Sequence, residues 1–244
     1  MKALVLAGGR GSRLKEITLD LNKCMCLYRG RHIIENSLDA ALRVGAEEIV
    51  IVVGYRAETI INVYGNCYQG VRIRYVIQWE QKGVVHAIEC ARGAIDGHDF
   101  FLTLADEVLV DPRHEVMREA FQNERIFALC GVVRVQDLNQ IKKTYALMVD
   151  GAGGQIYRLV EKPRTPLGNL QGTGNCLFRN AIFDYIPDTP INQQRQEKEL
   201  PDLIQCAVDS GKTVKIFDIG SMYANVNTSD ELNNEMILPD TSPA

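Results

Sequence analysis

No stretch of the 244 residues approaches the ~18–20 consecutive apolar positions a membrane-spanning helix needs, so no helical span is expected. Net positive charge is lacking too. A formal net charge of -4 argues against a general nucleic-acid or anionic-membrane surface and leaves room only for a local basic pocket. Met1–Leu6 runs straight into an apolar segment and lacks the layout of a secretory signal. The seven cysteines are irregularly spaced, and Cys24 and Cys26 have no matching second pair, so neither a zinc site nor a disulfide framework is expected. Reduced thiols and a cytoplasmic setting follow as the expectation. No Ser/His/Asp or Cys/His constellation stands out. His32, His86, His98 and His114 are scattered and receive no chemical role. Internal repeats and low-complexity linkers are missing as well.

A hydrophobic share of 46% and a charged share of 24% describe an ordinary globular chain with enough length to bury a substantial core. In the first half, strand-like and helix-like segments alternate. Strands are expected at Ala3–Leu6, Glu48–Val53, Val71–Ile77 and Phe100–Leu104, and helices at His32–Val44, Glu58–Tyr64 and Val84–Ala91. That order predicts an α/β fold with a mostly parallel, Rossmann-like sheet flanked by helices. The second half is less regular. Ile126–Val133, Tyr145–Val149, Ile156–Val160 and Val214–Phe217 read as strands, Asp150–Gly154 as a turn, and Leu200–Val208 as a helix ended by Gly211. A smaller mixed lobe is therefore expected within one domain, residues 1–238. The nucleotide-binding part would be about 1–110, the acceptor-binding part about 111–238, and 239–244 a frayed tail.

The first strand ends in Leu6-Ala7-Gly8-Gly9-Arg10-Gly11-Ser12-Arg13-Leu14, with Lys23 following. Glycines here let the backbone turn tightly and aim its N–H groups at an anion, while Arg13 and Lys23 add fixed positive charge suited to a triphosphate. The third glycine of a dinucleotide fingerprint is missing, and so is the G-K-[ST] of a Walker loop. Phosphate binding remains the reading these residues favour over a plain structural turn.

Gly8-Gly9-x-Gly11-Ser12-Arg13-Leu14 with the trailing Lys23 resembles the signature of the sugar-nucleotide pyrophosphorylases, within the nucleotidyltransferase superfamily. Asn22 stands where that family usually has proline. The resemblance extends over roughly residues 1–235. It implies that Arg13 and Lys23 hold the triphosphate and stabilise charge at the α-phosphorus, with Leu6, Ala7, Gly8, Gly9, Gly11 and Ser12 around the nucleotide. Gln78 and Gly83 resemble the segment that grips the base. Because a glutamine amide can present either a donor or an acceptor, Gln78 does not identify that base. Asp106, at the end of a strand, corresponds to the family's Mg²⁺-binding aspartate, though Ala105 replaces the usual glycine before it. Glu107 could be its supporting partner or a solvated charge.

Val160-Glu161-Lys162-Pro163 resembles the acceptor motif: Glu161 would take hydrogen bonds from acceptor hydroxyls and Lys162 would pair with the acceptor phosphate. Thr173, Gly174 and Asn175 resemble the segment lining the acceptor pocket. The closing segment Tyr223–Leu232 resembles one whose second metal ligand would here be Asn227, with Asn225 as second choice and Asp218 a distant third.

The implied reaction is a Mg²⁺-dependent transfer of a nucleotidyl group from an NTP to a small phosphorylated acceptor, with pyrophosphate released. Arg13, Lys23 and Asp106 are its expected catalytic residues, and homo-oligomers are common among resembling enzymes. A sugar 1-phosphate is the leading acceptor. Asn22, Ala105 and the Asn pair keep open a cytidylyltransferase acting on a phosphonate or a choline-phosphate-like acceptor. A non-catalytic nucleotide-binding relative is the third reading.

Overall fold

The computed structural model describes residues 1–9, 21–123, 125–151, 153–166 and 168–225. Its centre is a ten-stranded mixed sheet. Four parallel strands form its middle, in the order Phe100–Leu104, Lys2–Ala7, Glu48–Val53, Val71–Ile77. Every residue of Glu48–Val53 is buried, as expected for a parallel strand covered on both faces. Leu4, Val50 and Val52 enter one core, and Ala3, Val5, Ile49, Ile51 and Val53 enter the other. The period-two alternation of a strand thus feeds two separate cores from the same segments.

Helices supply the opposite walls. Gly83–Cys90 and Leu200–Asp209 close the first core, where the rings of Phe100, Phe178 and Phe183 stack with centroids 5.4–5.6 Å apart. Ile34–Arg43, Ala57–Tyr64 and His114–Asn123 close the second. The expected α/β class and its flanking helices are therefore what the molecule has.

The second half differs from expectation in several elements, among them the helix His114–Asn123. Leu170–Phe178 is a nine-residue, wholly buried strand at the middle of the sheet. It runs antiparallel to Phe100–Leu104 on one side and to Ala128–Arg134 on the other, and its start also pairs with Tyr145–Val149. Several of its polar groups are satisfied internally. Thr173 Oγ1 donates to the Gly131 carbonyl at 2.9 Å, and the Tyr145 hydroxyl donates to the Thr173 carbonyl at 2.8 Å. Two further elements were not anticipated. The strand Glu107–Val110 pairs antiparallel with Met222–Asn225, which sets Asn225 opposite Glu107.

The parallel strands all end at one edge, and two of those ends meet closely. A Cβ on Gly54, just past Glu48–Val53, would stand 2.7 Å from the Gly8 carbonyl oxygen. Only a glycine lets the two strand tips approach this far. Loops beyond the carboxyl ends of such strands are where ligands of open α/β sheets bind.

Candidate active site

A cleft of about 530 Å³ lies at that edge, lined by Leu6, Ala7, Gly8, Gly9, Asn22, Lys23, Gln78, Gly83, Ala105, Asp106, Lys143, Lys162, Glu197 and Asn225 among others. It gathers residues far apart in the chain at the ends of the parallel strands. Gly11, Ser12, Arg13 and Asn227 lie outside the described residues.

Asn22 organises the floor. Its side-chain Nδ2 donates to the carbonyls of Ala7 at 2.9 Å and Tyr55 at 2.8 Å, joining the tips of two neighbouring strands. Its Oδ1 accepts from the Cys24 N–H at 3.1 Å and so caps the short helical turn Lys23–Met25. The backbone at Asn22, φ -69° and ψ 143°, is one that proline also adopts. The replacement of the usual proline therefore keeps the chain path and adds three side-chain hydrogen bonds.

That turn delivers Lys23 into the cleft as a buried lysine. Its Nζ lies 2.6 Å from Asp106 Oδ2 and 3.5 Å from Asn225 Oδ1. Lysine, aspartate and asparagine come from three separate elements to one point. Asp106 follows Ala105, whose N–H donates to the Leu6 carbonyl at 3.0 Å and whose methyl is buried in the second core.

Glu107 is not a solvated charge. It is buried, and the Gly174 N–H (2.8 and 3.0 Å), Asn175 Nδ2 (2.9 Å) and the Tyr223 hydroxyl (2.8 Å) all donate to it. Burial, then the neighbouring Asp106 charge, pushes its pKa up to about 8 against the pull of those donors. Asn175 Oδ1 in turn faces His114 Nε2 at 2.9 Å, and burial lowers the His114 pKa. Thr173, Gly174 and Asn175, expected to line the acceptor pocket, are joined by this network and by Gly131, and Asn175 lines a neighbouring cavity with Glu107 and His114.

The opposite wall carries Lys162, at a left-handed φ of 41°. Its N–H donates to the Thr144 carbonyl at 2.7 Å, and its Nζ sits 3.1 Å from Glu161 Oε1. Glu161 also meets Arg195 Nη1 at 3.3 Å, which is shared with Glu199. Burial raises the Glu161 pKa, and Lys162 opposes it. Asp218 lies on the strand Val214–Asp218, 3.4 Å from Arg134, and does not line the cleft. Three participants were not anticipated from sequence: Lys143 and Glu197, which line the cleft, and Arg195. Lys143 ends the short helical turn Leu138–Lys143 and Glu197 lies in the two-residue strand Glu197–Lys198, elements too short to leave a periodic signal.

Comparison with known proteins bears on family and fold. The family model described as nucleotidyl transferase matches residues 2–232. The chain is 35% identical over 231 residues to a UTP–glucose-1-phosphate uridylyltransferase of Haloferax volcanii, covering 95% of this chain and 93% of that relative. It is 30% identical over 247 residues to a glucose-1-phosphate thymidylyltransferase of Streptomyces griseus, covering 100% and 68%. A solved UDP-glucose pyrophosphorylase complexed with UDP-glucose shares the fold at a TM-score of 0.86 and 20% identity, over 95% of both chains. An inositol-1-phosphate CTP transferase from T. maritima shares it at 0.77 and 24%, over 96% and 91%.

The Asn22 staple generates a test. Asn22→Ala leaves the Ala7 and Tyr55 carbonyls and the Cys24 N–H without their partner, and should cost about 1–3 kcal/mol of stability in urea unfolding. Asn22→Pro should show a comparable loss, because the backbone angle is kept but the three bonds are not.

Proposed function

Since the chain belongs to the nucleotidyl transferase family, we propose that its cleft binds an NTP and a sugar 1-phosphate and transfers the nucleotidyl group to the acceptor phosphate, releasing pyrophosphate. The observation that carries this reading is the convergence of Lys23, Asp106 and Asn225 at the strand ends, with Gly8–Gly9 beside them and Lys162 across the cleft. We assign the nucleotide to the part comprising residues 1–110 and the acceptor to residues 111–238.

The donors at the convergence point are a carboxylate and a side-chain carbonyl, hard oxygens of the kind Mg²⁺ prefers when phosphates and water complete its shell. Asp106 and Asn225 would hold the ion, with Asn227 as a further candidate. Mg²⁺, when bound, would neutralise charge on the phosphates. Lys23 and Arg13 hold the triphosphate and stabilise the negative charge that grows at the α-phosphorus. Lys162 pairs with the acceptor phosphate, while Glu161, braced by Arg195, accepts hydrogen bonds from acceptor hydroxyls. The acceptor phosphate is already anionic, so no protein nucleophile is required, and alignment supplies much of the acceleration. A cytosolic setting fits the seven free thiols, and among the described residues no helix is long and apolar enough to cross a membrane.

Pyrophosphate release should be measured with Mg²⁺ across ATP, CTP, GTP, UTP and dTTP, each against hexose 1-phosphates, choline phosphate and simple phosphonates. A signal with UTP or dTTP and a hexose 1-phosphate is expected. A signal only with CTP and a non-sugar acceptor would replace this reading, and nucleotide binding without turnover would mark a non-catalytic relative. Asp106→Ala should lower kcat by about 10³-fold or more with the thermal midpoint nearly unchanged. Lys162→Ala should raise the acceptor KM by about 10–100-fold, the worth of one charged hydrogen bond, and leave the NTP KM near its native value.

A further inference from the structure

The side-chain amide of Gln78 has a donor face and an acceptor face, and which one meets the nucleotide decides what base it accepts. Gln78 extends from the end of Val71–Ile77 and is almost fully buried. Its Nε2 lies 3.1 Å from the Gly83 carbonyl oxygen and 3.0 Å from His86 Nδ1. A carbonyl oxygen can only accept, so the amide atom facing Gly83 is the nitrogen, and His86 adds a second hold on the same NH₂ group. The second amide N–H then points at His86 Nδ1, which must be the unprotonated ring nitrogen. The ring proton is left on Nε2, 3.7 Å from Cys90 Sγ. The amide oxygen faces the glycine tip of the first strand, where a Cβ on Gly8 would stand only 2.6 Å from Oε1. Gly8, Gln78 and Gly83 all line the cleft, whereas His86 stands behind them on the helix Gly83–Cys90.

We infer that His86 is a positioning residue for donor selection: by accepting the second N–H of Gln78, it leaves only the amide oxygen turned to the nucleotide. The inference rests on the nucleotidyltransferase reading above. A lone carbonyl oxygen accepts from a ring N–H, such as N3–H of uracil or thymine. It repels the bare N3 of cytosine, because two acceptors then face each other without a proton. A site built around one hydrogen bond discriminates strongly against an analogue that cannot complete it. With an apolar side chain at position 86, one amide N–H loses its partner. Turning the amide over still exchanges the Gly83 bond for a contact between two oxygens, but it no longer breaks a bond to position 86 as well, so a larger fraction of molecules can present the NH₂ group to cytosine N3.

The experiment compares native protein, His86→Leu and His86→Asn, whose side-chain oxygen restores an acceptor near the place of Nδ1. With Mg²⁺ and a hexose 1-phosphate, kcat and KM are measured for UTP, dTTP and CTP. Native protein should favour UTP and dTTP over CTP. His86→Leu should lose about tenfold of that preference, the worth of one hydrogen bond, through KM rather than kcat. His86→Asn should recover most of it. Native preference for CTP, or discrimination unchanged in His86→Leu, overturns the inference. Independently, long-range ¹H–¹⁵N NMR, with the His86 signal identified by its loss in His86→Leu, should show the Nε2–H tautomer, and the Nδ1–H tautomer would refute the lock. If no donor supports turnover in native protein, the enzymatic reading fails, and the tautomer still decides whether His86 holds Gln78.

Discussion

A buried carboxyl group is costly unless partners meet its oxygens, and Glu107 has three donors from two other elements. Gly174 and Asn175 come from the central antiparallel strand, and Tyr223 comes from the strand that ends at Asn225. Through Asn175 the network reaches His114 at the start of a helix. Glu107 is thus where the second half of the chain is fastened to the strand end that carries Asp106. Asn225 reaches Lys23 because Tyr223, two residues earlier, is anchored to that same carboxylate. Burying this carboxyl group is offset by its donors, and the segments that supply them are ordered around Asp106.

A second arrangement sets the electrostatics. The chain as a whole is acidic, yet Lys23, Lys143 and Lys162 all face the cleft. Positive charge is concentrated where phosphates are proposed to bind, and Asp106 and Glu197 punctuate it. A low-dielectric recess strengthens each of these interactions relative to open water. Chemistry of this kind relies on fixed charges at fixed places, which explains why the side chains that matter are held by backbone carbonyls, strand tips and one another.

Much of the first half was legible from sequence. Glu48–Val53, Val71–Ile77 and Phe100–Leu104 are apolar runs with β-branched or aromatic content, and they form strands with those bounds. Gly8, Gly9 and Lys23 could be grouped by spacing and charge, Asp106 joined them through the family resemblance, and the structure brings all four into one cleft. Leu170–Phe178 was not legible as a strand. Gln171, Gly172, Thr173, Gly174 and Asn175 look like a loop, since polarity is normally a sign of solvent, and here it is satisfied inside the protein. The role of Asn22 was hidden for a related reason. A substitution for proline reads as a lost constraint, while its gain, three hydrogen bonds to distant backbone, depends on where the chain returns. Lys143 and Glu197 carry no local pattern, and only the fold brings them to the cleft.

The central antiparallel strand also bears on how the protein is made. During synthesis from the N-terminus, the four parallel strands of the first half emerge before residue 110, but Phe100–Leu104 lacks its outer neighbour until residue 178 has left the ribosome. For that interval the nascent sheet has an open, apolar edge of the kind that recruits other chains. The aromatic pair Phe100 and Phe178 closes the edge and the first core in the same event. The vulnerable period for this chain is therefore set by translation speed across the intervening seventy or so residues.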